Sequence, residues 1–323
     1  MSELENGETA SGLCASARFV QTFDGKAASE SCATACYEQG SSQSSARSSG
    51  QCSETPCSTP LPDTHCHVAF MTQPALFAAE AEASGAPVFS LGCTPAEYGR
   101  LRVGVPEGAC VHHGLGLHPW WVPEAPEQLG AQLAEFDRLL PGARIVGEVG
   151  LDYSKRREGT CQNQLAAFRH IAEASAEAGG KVLSIHCVRA YEDALRLLRE
   201  TGCAQQCACI FHWFSGSGLH LKQAIELGCW FSVSERMLAS GRGREYAKAI
   251  PLERLLLETD APEAAVPELQ QPFVLYTFAQ QQSELSRTVA KLSELRRMLE
   301  SDLAAAVVRN TQALLGLRAA ANE

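Results

Sequence analysis

The chain has 323 residues, of which 45% are hydrophobic, so it can bury the core of one large domain or of two ordinary ones. Its formal net charge of -10 and pI near 5.5 argue against a protein that grips long nucleic acid through a broad basic surface. The sequence contains no run of 18 or more apolar residues, and its first thirty residues lack the apolar segment of a signal peptide, so we expect a protein of the cytoplasm or nucleus that is neither secreted nor held in a membrane.

Residues 1–58 are rich in Ser, Ala, Gly and Cys and include the stretch SSQSSARSSG at 41–50. Almost no periodic apolar pattern occurs there, so we predict a low-complexity, disordered tail. Residues 319–323 are predicted to form a short C-terminal tail. The 14 cysteines are spread along a chain without a secretion signal, which favours reduced thiols over a disulfide framework.

From residue 59 to residue 318, short apolar runs alternate with segments of helical spacing. The predicted strands lie at 61–68, 86–93, 110–117, 143–150, 181–187, 207–214, 229–234 and 254–260. Stretches such as QLAAFRHIAEASAEAG and YEDALRLLRETG between them have apolar residues at intervals of three and four, and the segment from Ser283 to Leu317 also indicates helix. Eight strands alternating with helices predict an α/β fold with one parallel TIM (β/α)8 barrel.

Side chains that can hold a metal fall near the ends of five predicted strands. They are His65, His67, Glu148, His186, His212 and Asp260. His65 and His67 are two apart on an extended strand, so both point to the same side. A lone histidine at a strand end is more often a hydrogen-bonded structural residue, but that explanation fits six side chains on five strands poorly. Because the ends share one face of a barrel, the set predicts a site for one or two divalent ions.

Six motifs occur in an order that resembles the TatD-related metal-dependent deoxyribonucleases of the amidohydrolase superfamily. They are DTHCH at 63–67, GLHPW at 116–120, GEVGLDY at 147–153, IHCVRA at 185–190, FHWFSGS at 211–217 and ETDAP at 258–262. The resemblance spans residues 61 to about 317 and includes the closing NTQALLGL.

The resemblance implies a metal-dependent hydrolase barrel that holds two divalent ions, drawn from Mg, Mn, Zn or Co, and cleaves DNA phosphodiester bonds. It implies that His65, His67 and Asp260 hold one ion, that Glu148 bridges, and that His186 and His212 hold the other. Glu148 and Asp260 are the implied catalytic residues, with Asp260 orienting or deprotonating the attacking water. Two ions of this kind supply the nucleophile without a nucleophilic side chain.

Contacts with substrate are predicted less sharply. His118 in GLHPW resembles a family position that faces the substrate, although a histidine before proline can also simply fix the loop. Tyr153, Lys155, Arg156 and Arg157 follow the fourth strand, where a basic cluster can attract phosphate and where a solvated charge run is the commoner explanation.

Two departures from the family pattern stand out. Many family members have arginine two residues after the fifth-strand histidine, whereas Arg189 comes third after His186. On an extended strand that shift turns the side chain to the other face unless the chain bends. Trp213 follows His212 where a smaller residue is frequent, so its bulk is predicted to narrow the pocket.

The function predicted first is a deoxyribonuclease of the exonuclease type acting on single strands or ends, with DNA as partner and a monomer favoured. An alternative is a barrel hydrolase of a small ester, amide or phosphate, because fold and ligands alone do not choose the substrate. A non-enzymatic alternative is a barrel scaffold that docks other proteins. The complete ligand set makes the scaffold the weakest of the three.

Overall fold

The computed structural model describes residues 59–105, 107–262 and 273–316. The predicted tails at 1–58 and 319–323 lie outside these residues and stay predictions. Eight parallel strands form one sheet in chain order, each paired with the next. They are β1 (Asp63–Cys66), β2 (Val88–Leu91), β3 (Val111–Leu117), β4 (Ile145–Asp152), β5 (Val182–Val188), β6 (Ala208–His212), β7 (Trp230–Val233) and β8 (Leu255–Leu257). This order confirms the predicted TIM-type barrel.

Helices connect the strands. They are α1 (Pro74–Ser84), α2 (Pro95–Gly104), α3 (Pro126–Leu139), α4 (Cys161–Ala178), α5 (Tyr191–Glu200), α6 (Cys203–Gln206), α7 (Gly218–Glu226), α8 (Glu235–Ala239), α9 (Gly241–Ala249), α10 (Phe278–Arg296) and α11 (Glu300–Gly316). Local sequence fixes several starts: Thr94 caps α2 by accepting the Glu97 N–H, and Thr277 and Gln280 form a capping box on α10. The predicted terminal helix is two helices, because Arg297 takes a left-handed conformation between them.

The inside of the barrel follows the two-residue period of its strands. Val182 on β5 and Ile210 on β6 belong to an apolar cluster that also contains Leu256 of β8 and Leu314 of α11. Four residues after Val182 comes His186, and two residues after Ile210 comes His212, on the same side of each strand. The apolar cluster therefore lies inside the barrel directly below these histidines, which are at the carboxyl ends of the strands.

The seam between β8 and β1 is closed next to the site. The Asp260 N–H donates to the His65 carbonyl at 2.9 Å, and the His67 N–H donates to the Ala261 carbonyl at 2.9 Å. Buried Asp63 accepts hydrogen bonds from the Thr259 hydroxyl at 2.6 Å and from the Gln281 side chain at 2.7 Å. Closure of the barrel thus fixes the positions of residues 65, 67 and 260 together.

The cysteines in the described part of the chain are free thiols. Cys66 and Cys187, which flank site histidines, are buried small residues. Among the described residues no helix combines the length and apolar character needed to cross a membrane.

Candidate metal centre

Seven polar side chains converge at the carboxyl ends of the strands. They are His65, His67, His118, Glu148, His186, His212 and Asp260. All six residues predicted as ligands are in this set, together with His118. Six strands and the turns that follow them supply these residues, although His65 and Asp260 are 195 positions apart in the sequence.

Glu148 lies at the centre and uses its two oxygens differently. Its Oε2 lies 3.3 Å from His65 Nε2 and 3.4 Å from His67 Nε2. Its Oε1 lies 2.8 Å from His186 Nδ1 and 3.0 Å from His212 Nε2. Asp260 Oδ1 completes the first group at 3.6 Å from His65 Nε2 and 3.5 Å from His67 Nε2. One carboxylate therefore joins two groups of imidazole nitrogens.

Glycine gives the Glu148 backbone the room that this position requires. A Cβ on Gly116 of β3 would collide with the Gly92 carbonyl oxygen and lie 2.7 Å from Glu148 N. The Glu148 N–H instead donates to the Gly92 carbonyl at 2.8 Å. A larger residue at position 116 would therefore push β4 and its carboxylate out of place.

Backbone hydrogen bonds give the Nδ1 atoms of His67 and His118 opposite roles, one as donor and the other as acceptor. His67 Nδ1 lies 3.2 Å from the Leu91 carbonyl, which only accepts, so Nδ1 carries a hydrogen and Nε2 is the nitrogen left to face Glu148 and Asp260. His118 is reversed, because its Nδ1 accepts the Trp120 N–H at 3.0 Å. Its neutral ring therefore carries hydrogen on Nε2 and donates toward Glu148 Oε1, 3.0 Å away. His67 is set up as a ligand and His118 as a hydrogen-bond donor.

The electrostatics keep the carboxylates ionised. Burial opposes ionisation of Glu148, but His118, His212 and His65 around it hold the pKa of that carboxyl well below its usual range. Asp260 behaves alike: burial raises its pKa, but the His67 ring, whose Nε2 lies 3.5 Å from Asp260 Oδ1, and the neighbouring His65 outweigh burial to give a pKa of about 2. Burial lowers the pKa of His65 to about 4, so that ring is neutral.

These donors fit divalent cations. Neutral imidazole nitrogens and ionised carboxylate oxygens are ligands for Zn, Mn and Co, and carboxylates also serve Mg. Within the described residues, the Nε2 atoms of His65 and His67 are buried and have no hydrogen-bond partner. Three overlapping groups bring their ligand atoms within 4.8 Å of one another: His65, His67 and Glu148; His65, His212 and Asp260; and His118, Glu148 and His186. The cluster can therefore hold metal.

Only some of the residues predicted to contact substrate lie beside the cluster. His118 lies in the cluster, and the Arg157 guanidinium lies 5.2 Å from the centre of the Trp120 ring beside it. Lys155 and Arg156 are exposed on the turn that follows β4. The Tyr153 hydroxyl donates to Asp193 of α5 at 3.0 Å, so its polar end is engaged on the helix side. Of the three cations, Arg157 is the one placed against the aromatic side of the site.

The chain does bend after β5. Arg189 has φ 56°, which breaks the alternation of an extended strand, and its side chain is exposed. Trp213, with φ 39°, and Asp260, with φ 54°, show the same left-handed conformation at the ends of β6 and β8. Such conformations cost about 1–3 kcal/mol each and concentrate at functional sites. Part of the Trp213 side chain packs against the large apolar core. Its whole bulk therefore does not lie in the cluster of histidines and carboxylates.

Sequence reasoning missed two carboxylates that support the site. Asp152 Oδ2 lies 3.4 Å from His186 Nε2, accepts the Trp120 indole N–H, and is 2% exposed. Glu258 accepts the Trp213 backbone N–H at 3.0 Å and the Ser232 hydroxyl, and lies 3.9 Å from His212 Nδ1. The two-residue period of a strand could have revealed both, because residues two apart point to the same side. Asp152 is two residues after Gly150, which pairs with His186, and Glu258 is two residues before Asp260.

A parallel barrel with histidines and carboxylates converging at the carboxyl ends of its strands defines the class of metal-dependent barrel hydrolases. The TatD related DNase family matches residues 62–316. The chain belongs to that family, which confirms the resemblance seen in its motifs.

Individual relatives of the chain also carry the TatD name. The 3'-5' ssDNA/RNA exonuclease TatD of Klebsiella pneumoniae is 34% identical over 154 residues, which is 46% of this chain and 56% of the relative. An uncharacterized metal-dependent hydrolase TatD of Mycobacterium tuberculosis is 31% identical over 217 residues, covering 64% and 77% of the two chains. The crystal structure of YJJV, a TatD homologue of Escherichia coli K12, has a TM-score of 0.65 at 22% identity, covering 80% and 98%. The chain spans about half the length of several of the curated relatives it matches.

Proposed function

We propose that the chain is a metal-dependent hydrolase that cleaves DNA phosphodiester bonds as an exonuclease, on single strands or ends. The observation that carries the proposal is the position of Glu148, whose Oε2 faces His65 and His67 and whose Oε1 faces His186 and His212. Membership of the TatD related DNase family supports the reaction, and the name of the Klebsiella relative, an exonuclease of single-stranded DNA and RNA, supports the substrate.

In this proposal His65, His67 and Asp260 would hold one divalent ion, His186 and His212 would hold a second, and Glu148 would contribute a carboxylate oxygen to each. Mg, Mn, Zn and Co all suit this mixture of donors. Bound there, two such ions would lower the pKa of a water and balance the charge on the attacked phosphate. The chain itself provides an enclosed, largely buried set of donors that needs no nucleophilic side chain.

Asp260 is the residue we assign to the attacking water. Its side chain is 19% exposed, against 3% for Glu148, so it faces the open end of the site more than Glu148 does. With a pKa of about 2 it is ionised at neutral pH, so it can accept a hydrogen bond from the attacking water and orient it.

His118 is the residue we assign to the phosphate. Its Nε2–H already points toward the negative Glu148 Oε1, 3.0 Å away, and a phosphate oxygen entering beside it can accept the same hydrogen bond. Arg157 adds a positive charge on that side, which suits a polyanion even though the chain as a whole is acidic. The monomeric state and the cytoplasmic or nuclear location stay predictions.

The test uses single- and double-stranded DNA labelled at either end, incubated with the purified full chain and Mn or Mg. We expect shortening from one end, and a loss of at least about 100-fold in rate for Glu148→Gln and for Asp260→Asn, the order seen when a group acting on the reacting atoms is removed. Glu245→Gln on the exposed side of α9 is the matched control and keeps full activity.

Cleavage that survives in Glu148→Gln or Asp260→Asn would come from a contaminating nuclease and would count against the proposal. If the wild-type chain binds two ions, leaves every DNA intact and hydrolyses a small ester, amide or phosphate, the alternative barrel hydrolase replaces the deoxyribonuclease. If the chain hydrolyses none of these substrates, the scaffold alternative gains.

A further inference from the structure

Two tryptophans stand directly beside the candidate metal centre. They belong to the short helical turn Pro119–Trp121 that follows His118. The centre of the His118 ring lies 5.1 Å from that of Trp120 and 5.2 Å from that of Trp121. Both indoles are partly exposed. Two large aromatic surfaces thus lie directly next to His118, the histidine that faces Glu148.

The four tryptophans of the chain differ in what they pack against. Trp213 packs against the large apolar core, and Trp230 belongs to the cluster inside the barrel. Trp120 and Trp121 belong to none of the apolar core clusters that the described residues form. Packing in the core therefore explains one pair of tryptophans and leaves the pair at the mouth without that role.

Trp120 is also held rigidly. Its indole N–H donates to buried Asp152, which in turn accepts the Ser154 backbone N–H at 2.7 Å. The Trp121 ring is nearly parallel, with an angle of 17° and a centre 6.4 Å away. Arg157 lies over the Trp120 ring as a cation. An anchored aromatic surface loses little conformational freedom when a flat ligand stacks on it.

We propose that Trp120 and Trp121, with Arg157 beside them, form the stacking surface for the base of the nucleotide next to the scissile phosphate. This inference rests on the proposed phosphodiester hydrolysis and names the part of the substrate that the mouth recognises. Stacking accepts every base, because each base has a π face, so the surface selects an unpaired base without reading sequence. A base inside a duplex is already stacked, so single strands and frayed ends are favoured.

The experiment compares three substrates with the same full-length, Mn-loaded protein. They are a single-stranded oligonucleotide with a normal terminal base, the same oligonucleotide with an abasic terminal residue, and bis(p-nitrophenyl) phosphate. Trp121→Leu keeps apolar bulk without a π face, and Trp121→Phe restores an aromatic ring. We expect Trp121→Leu to lose about tenfold or more in kcat/KM on the normal end, within the range for one lost base stack, and less than about twofold on the abasic end. Trp121→Phe keeps most of the activity.

Arginine provides a matched control pair. Arg157 lies over Trp120 at the mouth, and Arg254 lies over Trp230 at the opposite end of the barrel, 4.8 Å from the ring centre. Arg157→Ala should weaken cleavage of the oligonucleotide with a normal end, whereas Arg254→Ala should not.

An equal loss on all three substrates would assign Trp121 a purely structural role and overturn the inference, as would an unchanged Trp121→Leu. In both cases the wild-type hydrolysis stands, so the proposed function survives. A wild-type chain that hydrolyses none of the three overturns both. A melting curve for each variant separates unfolding from lost stacking, and Trp121→Phe against the abasic end repeats the comparison if Trp121→Leu does not fold.

Discussion

Single hydrogen bonds to the backbone distinguish His67 from His118 in the cluster. His67 commits Nδ1–H to the Leu91 carbonyl, and His118 uses Nδ1 to accept the Trp120 N–H. His186 is placed between two carboxylates, Glu148 at Nδ1 and Asp152 at Nε2. Burial lowers the pKa of His186, but hydrogen bonds to these carboxylates outweigh it and raise the pKa to about 9.

The contrast between His67 and His118 gives a test. His118→Ala should keep the metal content of the wild type and lose about 100-fold or more in rate, because a donor to the phosphate is removed while the proposed ligands stay. His67→Ala should lose metal as well as activity. Metal analysis after gel filtration, beside kcat/KM, separates the two outcomes, and loss of metal from His118→Ala would make His118 a ligand.

The residues also show where prediction from sequence ends. The six residues predicted as ligands do lie together in the structure, and each could be found from the sequence because it stands at the end of an apolar strand and belongs to a motif; their role as ligands stays a prediction. Asp152 was overlooked in favour of its neighbour Tyr153, whose hydroxyl bonds to Asp193 instead. The direction of a side chain beyond a strand end depends on the backbone there, and the left-handed turn at Arg189 is a property that composition and spacing do not reveal.

Among the elements, the existence and order of the strands are predicted more accurately than the residues at which they end. Each observed strand overlaps its predicted range, but β4 continues to Asp152 and β5 to Val188, two residues and one residue beyond the predicted ends. The extensions carry Asp152 to the level of the site. Apolar periodicity locates a strand, whereas its end is set by pairing with the neighbour, here Asp152 with Val188.

One contact between helices gives the protein a measurable dependence on pH. Glu235 of α8 accepts hydrogen bonds from Lys291 at 2.6 Å and Arg287 at 2.9 Å, both on α10. These bonds lower the pKa of Glu235, so its stabilising effect is complete above the ordinary value of 4.5 and is lost as the pH falls through the lowered value. Glu235→Gln should cost about 0.5–1 kcal/mol at pH 7, as expected for a partly exposed pair.

The measurement is urea unfolding of wild type and Glu235→Gln at several pH values. The difference in free energy of unfolding should shrink as the pH falls below about 4.5. Glu245→Gln, which removes a more exposed contact with Lys248 inside α9, should change little at any pH. A gap that is constant with pH would show that the charge of Glu235 is not what stabilises the contact.

For the whole molecule, the candidate metal centre is also the uppermost layer of the barrel core. Barrel enzymes normally fill the interior with layers of apolar side chains, and here the uppermost layer consists of buried histidines and Glu148. Ions that bind only the folded chain therefore stabilise all eight strands at once. At a hundred times its dissociation constant, one ion adds about 2.7 kcal/mol, or about 5–10 °C in Tm for a domain of this size.

Thermal melts with EDTA and with added Mn or Zn check this. Tm should rise with metal in the wild type and stay unchanged in a Glu148→Ala, Asp260→Ala double variant, which lacks the bridging carboxylate. A rise of equal size in both proteins would mean that the ions bind elsewhere on the surface.

The seam between β1 and β8 has a consequence for how the protein is made. A ribosome that has completed β7 has already synthesised every histidine of the site, but Asp260 is still to come. Asn310 of α11 then fixes the start of β8 through hydrogen bonds of 2.7 and 2.8 Å to the Leu252 and Leu255 carbonyls. We therefore expect a nascent chain that still lacks α11 to be unable to cut nucleic acid, even though all of its proposed metal ligands have already been synthesised.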